Sequence, residues 1–265
     1  MTPTLRRAGL TLSFAFCAAA LSVARADASG CDLYTSASTC SFNGANFYVV
    51  DPQPTGTGVI KSFLRVQQNG TEQGYNTSAR PIQSGMDSKT DPNFTRNLLT
   101  DAVPVVGGMR QFFLDINEQA ADWGKLLTLD QLKIFVSDTP NLNFYSGGAL
   151  AGATKVYDMD TALKDNFINL DYTLNNGGSG IGDMVVYVPD VGFTNQYVYL
   201  YSQFGCVPDN KGNCGNGANQ KYASGAGFEE WWVLSPNVQH SAVPEPASLL
   251  LLGSGLLAIR RRVRA

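Results

Sequence analysis

The chain has 265 residues, of which 44% are hydrophobic, 11% aromatic and only 15% charged, with a formal net charge of −3. The 27 glycines and the high aromatic content argue against a helical protein and against a disordered chain, because disordered segments are poor in aromatic residues. The single histidine, His240, argues against a His-rich metal site and against a Ser–His–Asp triad within the fold. We therefore expect a folded body whose chemistry does not depend on histidine.

Residues 1–26 have the three parts of a secretory signal peptide. Arg6 and Arg7 supply the positive start, residues 10–23 the apolar stretch, and residues 24–26 an Ala-Arg-Ala cleavage site. A twin-arginine export signal is the alternative, but the residues around the arginine pair match that pattern poorly. The sequence thus predicts export through the inner membrane.

The charge of the body differs from that of the whole chain, because both ends are rich in arginine. Residues 27–242 hold 12 basic and 21 acidic residues, a net charge of −9. Such a surface repels the phosphate backbone, so nucleic acid is not an expected partner.

Four cysteines remain once Cys17 leaves with the signal peptide, and they form two local pairs: Cys31 with Cys40, and Cys206 with Cys214. An even number of cysteines in an oxidising compartment predicts disulfides. Three connectivities are open; pairing of nearest neighbours is favoured because each pair brackets a short polar loop. Neither pair has CxxC spacing, so zinc is not expected.

Short runs in which apolar and polar residues alternate recur along the body, separated by Gly, Asn, Asp and Pro. In one run Phe112, Leu114 and Ile116 are predicted to point inward, and Asp115 and Asn117 outward. In another, Leu132, Ile134 and Val136 alternate with Lys133, Phe135 and Ser137. The predicted strands are residues 47–50, 59–67, 109–117, 132–137, 155–158, 168–174, 184–188, 197–204 and 228–234.

Helical pattern is confined to residues 117–127, whereas parallel α/β folds need helices between their strands. We therefore predict an all-β fold over residues 27–234, an antiparallel two-sheet β-sandwich of jelly-roll or immunoglobulin-like type. Residues 68–108 are predicted to be a long polar connection, and residues 235–242 a linker.

Calcium ligands could come from three places: Asp115 with Asn117, Asp158 with Asp160, and the glycine-rich stretch 175–183. That stretch is similar to the calcium-binding G-G-x-G-x-D nonapeptide, but its Asp falls one position late and it occurs once. Polar residues at alternate strand positions are expected on any exposed face. We therefore predict no metal and no cofactor, with calcium as the alternative.

Catalysis is not expected either. Glu229 and Glu230 are adjacent on a strand and must point to opposite faces, so they cannot be the two facing carboxylates of a glycosidase. The sequence contains no G-x-S-x-G nucleophile motif. A secreted hydrolase in which either glutamate pairs with a distant Asp is kept as an alternative.

Aromatic residues suggest a binding surface. Tyr197, Tyr199 and Tyr201 lie on one face of a strand, and a solvent-facing row of this kind, with Trp231, could stack on sugar rings. The alternative is that both faces of the strand are covered and the tyrosines fill a second core layer. Exposure of these side chains distinguishes a lectin-like carbohydrate-binding module from internal packing.

The C-terminus combines three features in a fixed order. A Pro-Glu-Pro motif precedes thirteen uncharged residues, 247–259, and an arginine cluster follows them. Thirteen residues are short for a membrane-spanning helix of about 20, although arginine side chains can snorkel. The cluster should stay cytoplasmic, which places the body outside. The residues concerned are Val243, Pro244, Glu245, Pro246, Arg260, Arg261, Arg262 and Arg264.

This order resembles the PEP-CTERM sorting signal of Gram-negative bacteria. The resemblance implies that Pro244, Glu245 and Pro246 are recognised by an exosortase, a membrane protease that cuts nearby. It also implies that residues 243–265 are the sorting signal with its short transmembrane segment, and that residues 260–262 are the stop-transfer anchor. An ordinary tail anchor is the alternative. Proteins with this signal accompany exopolysaccharide and biofilm formation. We therefore expect a non-catalytic structural or adhesive protein of the cell surface or extracellular matrix, with polysaccharide as a partner.

Overall fold

The computed structural model describes residues 27–50, 61–118, 122–175, 182–206, 221–225 and 227–234. The predicted signal peptide, linker and sorting segment lie outside these ranges. Within them the chain forms β-strands and two short 3₁₀ turns, Thr100–Ala102 and Asp122–Lys125, and no α-helix. In the described part of the predicted helical run 117–127, the structure has one 3₁₀ turn instead of an α-helix.

The strands of the described ranges, eighteen in all, are numbered in chain order. They are β1 (Asp27–Leu33), β2 (Thr39–Phe42), β3 (Ala45–Val49), β4 (Leu64–Val66), β5 (Asn69–Gly70), β6 (Glu72–Tyr75), β7 (Leu98–Leu99), β8 (Val105–Val106), β9 (Met109–Asp115), β10 (Leu126–Ser137), β11 (Tyr145–Ser146), β12 (Ala149–Leu150), β13 (Thr154–Asp158), β14 (Lys164–Asp171), β15 (Met184–Pro189), β16 (Tyr197–Phe204), β17 (Ser224–Gly225) and β18 (Glu229–Trp232).

Most of these strands belong to two large sheets. The first has the order β1-β14-β10-β16-β6, with β13 paired to β10 and β7 to β16. The second has the order β2-β3-β15-β9-β18-β4, with β8 paired to β9. Two-stranded sheets, β11 with β12 and β5 with β17, complete the set. The pairings are antiparallel except for β1 with β14, which run parallel, contrary to the fully antiparallel prediction.

One hydrophobic core joins the inner faces of both large sheets. Phe112, Leu114 and Ile116, in and after β9, are 0% exposed, as the alternation predicted. They share a cluster with Leu132 and Ile134 of β10, which belongs to the other sheet. Two sheets around a single core are the arrangement of a β-sandwich.

The outer face of the first sheet is covered as well. Phe135 of β10 is 1% exposed and packs in a separate cluster with Tyr145 and Leu150 of the β11–β12 hairpin. Lys133 and Ser137 on the same face are also buried. Alternation in β10 therefore separates two buried faces rather than an inside from a surface.

The predicted connection 68–108 contains the short strands β5 to β8. Of these, β6 is a full member of the first sheet, paired with β16 from Glu72 opposite Phe204 to Tyr75 opposite Tyr201. The alternation rule missed it because its inward-facing positions are Glu72 and Gly74 instead of apolar residues.

A disulfide links Cys31 to Cys40, as nearest-neighbour pairing predicted. It connects β1 at the edge of the first sheet to β2 at the edge of the second. Cys206 is disulfide-bonded too, and Cys214 lies outside the described residues.

Candidate functional site

The tyrosines of β16 do not form a surface. Tyr199 is 0% and Tyr201 2% exposed, and Tyr197 is half-buried against the same cluster. The ring of Tyr145 from the covering hairpin stacks on that of Tyr201, with centroids 4.2 Å apart. The hydroxyl of Tyr201 donates to Gln73 Oε1 at 2.6 Å. The prediction that these tyrosines form a solvent-facing row is therefore wrong, and the alternative, that they fill a second core layer, is confirmed.

Trp231, the fourth residue of that predicted platform, lies in the main core. It is 0% exposed, and its Nε1–H donates to Ser202 Oγ at 3.0 Å. Its neighbour Trp232 points the other way and stacks on Phe113 at 4.5 Å. A sugar-binding platform needs an accessible ring face, which neither Trp231 nor the tyrosine pair offers.

The first pair of predicted calcium ligands is enclosed. Asp115 lies opposite Glu230, on the face of β9 away from the main core as predicted, but it is covered and 0% exposed. Asn117 Oδ1 accepts a hydrogen bond from the Tyr172 hydroxyl at 3.2 Å. Residues 176–181 of the glycine-rich stretch lie outside the described part. At its end, Asp183 Oδ2 accepts the backbone N–H of Ile116 at 2.8 Å.

The second pair belongs to a group of acids around Lys133. The Lys133 Nζ lies 3.8 Å from Asp158 Oδ1 and 3.6 Å from Asp160 Oδ2. Burial, together with the charges of neighbouring aspartates such as Asp165, raises the pKa of Asp130 to about 8 and the pKa of Asp160 to about 6. Lys133 therefore already supplies a positive charge next to these carboxylates.

Three glutamates meet inside the domain, and we call them the glutamate cluster. Glu72 comes from β6, Glu118 follows β9, and Glu229 comes from β18; they are 0%, 6% and 0% exposed. The carboxyl group of Glu229 contacts those of both Glu72 and Glu118. The cluster lies where the two sheets adjoin, since β6 of the first sheet contacts β4, the neighbour of β18 in the second.

Strand register directs each of these side chains inward. Glu72 is opposite Phe204, a core residue, and residues paired across antiparallel strands point to the same face. Glu229 precedes the buried Trp231 by two positions, and side chains two apart on a strand share a face. Glu118 continues the inward series that ends with Ile116.

Hydrogen bonds satisfy only part of the cluster. Glu72 Oε2 accepts the backbone N–H of Gln68 at 2.7 Å, and Glu118 Oε2 accepts that of Gly225 at 2.8 Å. A contact between two carboxyl groups is a hydrogen bond only while one of them carries a proton. With the carboxyl groups ionised, Glu72 Oε1, Glu118 Oε1 and both oxygens of Glu229 have no hydrogen-bond partner.

Burial also raises the pKa of each member. It brings the pKa of Glu72 and that of Glu118 to about 7, and it raises the pKa of Glu229 well above its usual value, with the charges of the other two glutamates adding to the shift. In the described ranges, no group of three or more Asp, Glu, His or Cys is arranged to hold a metal ion as it stands. At neutral pH the cluster therefore needs protons or a cation to offset its charge.

A small sheet closes one side of the cluster. Strand β5 pairs with β17, and Ser224 Oγ donates to the Gln68 carbonyl oxygen at 2.8 Å. Gly205 packs against this sheet with φ +77°, where a Cβ would lie 2.1 Å from the Gly70 carbonyl oxygen and 3.0 Å from Ser224 N. Only glycine fits such a close approach.

Substitution Gly205→Ala should therefore lower the free energy of unfolding by about 2–4 kcal/mol, from left-handed backbone strain plus displacement of β5. Gly107→Ala is the matched control: its φ is +59° and no atom lies within 4 Å of the added Cβ. The control should cost only about 1 kcal/mol. Urea denaturation measures both, and equal losses would show that the β5–β17 contact is unimportant.

Glu230 lies on the opposite face of β18, as the sequence predicted. Its Oε1 is 2.8 Å from Arg65 Nη2. The Arg65 guanidinium is held between the rings of Phe94 and Phe228, 3.4 and 4.3 Å from their centroids. This carboxylate therefore has a cation of its own, whereas Glu229 has none among its contacts given above.

Sequence reasoning singled out Glu229 but not its partners Glu72 and Glu118. A signal existed for Glu118: it extends the alternation of inward residues Phe112, Leu114 and Ile116 by one step. Glu72 carried no such signal, because the short strand around it contains no apolar alternation.

The fold and the site define an all-β protein built of two sheets around one core, with acidic groups enclosed between them. The chain also carries a PEP-CTERM protein-sorting motif, since residues 242–265 match the family model of that motif. This match confirms the resemblance seen in the sequence and indicates an exported protein processed by an exosortase. No curated protein and no solved structure matches the chain. Among the described residues, no helix is both long and apolar enough to cross a membrane; the predicted anchor lies outside them.

Proposed function

We propose that the domain of residues 27–234 is a non-catalytic structural or adhesive component of the cell surface or extracellular matrix, held within exopolysaccharide. The observation that carries this proposal is the sorting motif at residues 242–265. In this proposal the motif anchors the chain transiently in the inner membrane until the exosortase transfers the domain outward. The domain is then the working part of the mature protein.

Two properties of the domain support a passive role. Its net charge of −9 favours solubility outside the cell. The three carboxyl groups of the glutamate cluster are at most 6% exposed, so a polymeric substrate cannot reach them. A carboxylate-based hydrolase needs two carboxyl groups across an open cleft instead.

The sorting step is tested by intact mass and cell fractionation in cells with and without the exosortase. We expect a mature mass ending near Pro244-Glu245-Pro246 that is lost without the enzyme. A Glu245→Ala variant should accumulate uncut in the inner membrane, while Glu230→Ala, which changes a glutamate outside the motif, should be cut normally. An uncut native protein in cells that have the exosortase would show that the tail is a plain anchor.

The matrix role is tested by fractionating the same cells when exopolysaccharide synthesis is abolished. We expect the cut protein to move from the matrix fraction to the medium, because its attachment depends on polysaccharide. If the cut protein stays on the cells, it is attached to another partner and the exopolysaccharide part of the proposal fails.

A further inference from the structure

We propose that Lys133 and Asp160 become joined by an amide bond between their side chains, which links β10 covalently to the turn between β13 and β14. The inference is independent of the proposed surface role, because it concerns how the domain is held together and not where it goes. It rests on the contacts, the burial and the hydrogen bonds of these two side chains.

Strand pairing brings the two groups together. Lys133 of β10 lies opposite Asp158 of β13, and Asp160 follows two positions later in the chain. The Lys133 Nζ is 3.6 Å from Asp160 Oδ2. Because Cγ of Asp160 is bonded to that oxygen, Nζ needs to move by only about 1 Å to reach the separation of about 3–3.5 Å at which bonds form. The fold therefore holds an amino group beside a carboxyl carbon.

Burial favours the amide over the ion pair. The side chain of Lys133 is 9% exposed and that of Asp160 is 18% exposed. Burial also raises the pKa of Asp160 to about 6, because the charged form loses its hydration. Withdrawing two opposite charges from water is costly even when they are paired, whereas an amide carries no charge. Bond formation therefore removes an unfavourable pair of charges from the interior.

Neighbouring groups orient both reactants. Asp160 Oδ1 accepts the backbone N–H of Asn166 at 2.9 Å, which turns Oδ2 toward the lysine. The same N–H would stabilise the negative charge that develops on Oδ1 when an amine adds to Cγ. Lys133 Nζ donates to Gln131 Oε1 at 2.6 Å, and that oxygen can accept the N–H of the amide afterwards.

The other lysine and aspartate of this group are less suited to the bond. Lys133 Nζ is 3.8 Å from Asp158 Oδ1, but Lys155 Nζ lies 2.5 Å from Asp158 Oδ2 and stabilises the ionised carboxylate. An ionised carboxylate is a poor acceptor for an amine. The side chain of Lys155 is 41% exposed, so water stabilises its ammonium group. We therefore expect Lys155 and Asp158 to remain an ion pair.

The reaction is a condensation that needs no other reactant. The Lys133 ammonium group gives one proton to the Asp160 carboxylate, which leaves an amine and a carboxylic acid. The amine lone pair forms the Nζ–Cγ bond, a second proton moves from nitrogen to Oδ2, and the Cγ–Oδ2 bond breaks as water leaves. One positive and one negative charge disappear, and the chain becomes lighter by one water molecule, about 18 Da.

The test is the intact mass of the exported protein, produced from the full chain and with its disulfides reduced. We expect a mass about 18 Da below that of the unmodified mature chain. Trypsin should not cut after Lys133, because an acylated lysine carries no charge. The digest should instead contain a branched peptide in which residues 126–155 are joined to residues 156–164. Tandem mass spectrometry of that peptide locates the bond.

The variant that tests the assignment is Lys133→Arg, with Lys155→Arg, the exposed lysine of the same group, as the matched control. Arginine keeps the positive charge beside Asp160, but its guanidinium group stays protonated and does not form the amide. The mass loss should therefore disappear in Lys133→Arg. It should remain complete in Lys155→Arg.

Three results would overturn the proposal. They are a native chain of unreduced mass, a mass loss that persists in Lys133→Arg, or a branched peptide whose bond maps to Lys155 or Asp158. The first would mean that Lys133 and Asp160 stay an ion pair. The second would mean that water is lost elsewhere, as when an aspartate forms a cyclic imide. Should Lys133→Arg not fold, the tryptic map of the native chain decides the question, because it identifies both joined residues.

Discussion

Replacing Trp231 with alanine should lower the free energy of unfolding by about 3–5 kcal/mol. Trp231 is fully buried among apolar residues of both sheets, so truncation removes its burial and leaves a cavity between them. It also removes the donor to Ser202 Oγ, a buried hydroxyl. Chemical denaturation followed by circular dichroism measures the loss.

The control for this substitution is Phe144→Ala, because Phe144 is 62% exposed. Its stability should change by no more than about 0.5 kcal/mol. The comparison also separates a core residue from a sugar platform. If Trp231→Ala kept full stability and lost polysaccharide binding, the core assignment would be wrong.

Replacing Asp130 with asparagine should stabilise the protein in alkali and leave it almost unchanged in acid. Burial and the charges of Asp165 and Asp160 raise the pKa of Asp130 to about 8, against the lowering influence of Lys133. The unfolded value is about 3.9. Between these two pKa values the folded state keeps a proton that the unfolded state has lost, so the native protein loses stability as the pH rises through this window.

The size of the effect follows from the shift. Each pKa unit corresponds to about 1.4 kcal/mol, so the benefit of Asp130→Asn should reach several kcal/mol at pH above about 8. Asp130 Oδ1 has no hydrogen-bond partner, so replacing the carboxyl group with an amide breaks no hydrogen bond at that oxygen. Unfolding free energies of both proteins from pH 4 to 9 measure the difference.

Asp101→Asn serves as the control, because Asp101 is exposed and water surrounds its carboxylate in both states. It removes one negative charge without relieving burial, so its effect should stay small across the same pH range. A benefit of Asp130→Asn that is equally large at pH 4 and pH 9 would contradict the titration argument.

Much of the strand content was predictable because period-two alternation is a local property. The run from Met109 onward appears in the structure as β9, and residues 197–204 form β16 with the predicted limits. Strand β6 was missed because Glu72 and Gly74 occupy its inward positions. A strand whose inner positions hold a glutamate and a glycine carries no hydrophobic pattern to detect.

The exposure of the tyrosines could not be predicted from the same pattern. Alternation shows that Tyr199 and Tyr201 share a face, but not what packs against that face. The covering residue Tyr145 comes from a separate hairpin, and nothing local to β16 encodes its approach. The same holds for the glutamate cluster, since Glu72 and Glu229 lie far apart in the chain and meet only when their sheets pack.

The sequence by itself determined that this protein carries an exosortase sorting motif, and it determined the spacing of many of its strands. The sorting motif at residues 242–265 is linear, so its order of residues is its whole content, and the Cys31–Cys40 disulfide closes a loop short enough to recognise by spacing. Only the tertiary structure decided which polar residues are enclosed. Burial depends on what distant segments place over each face, and that packing raises the pKa values of Glu72, Glu118 and Glu229 and brings their carboxyl groups together.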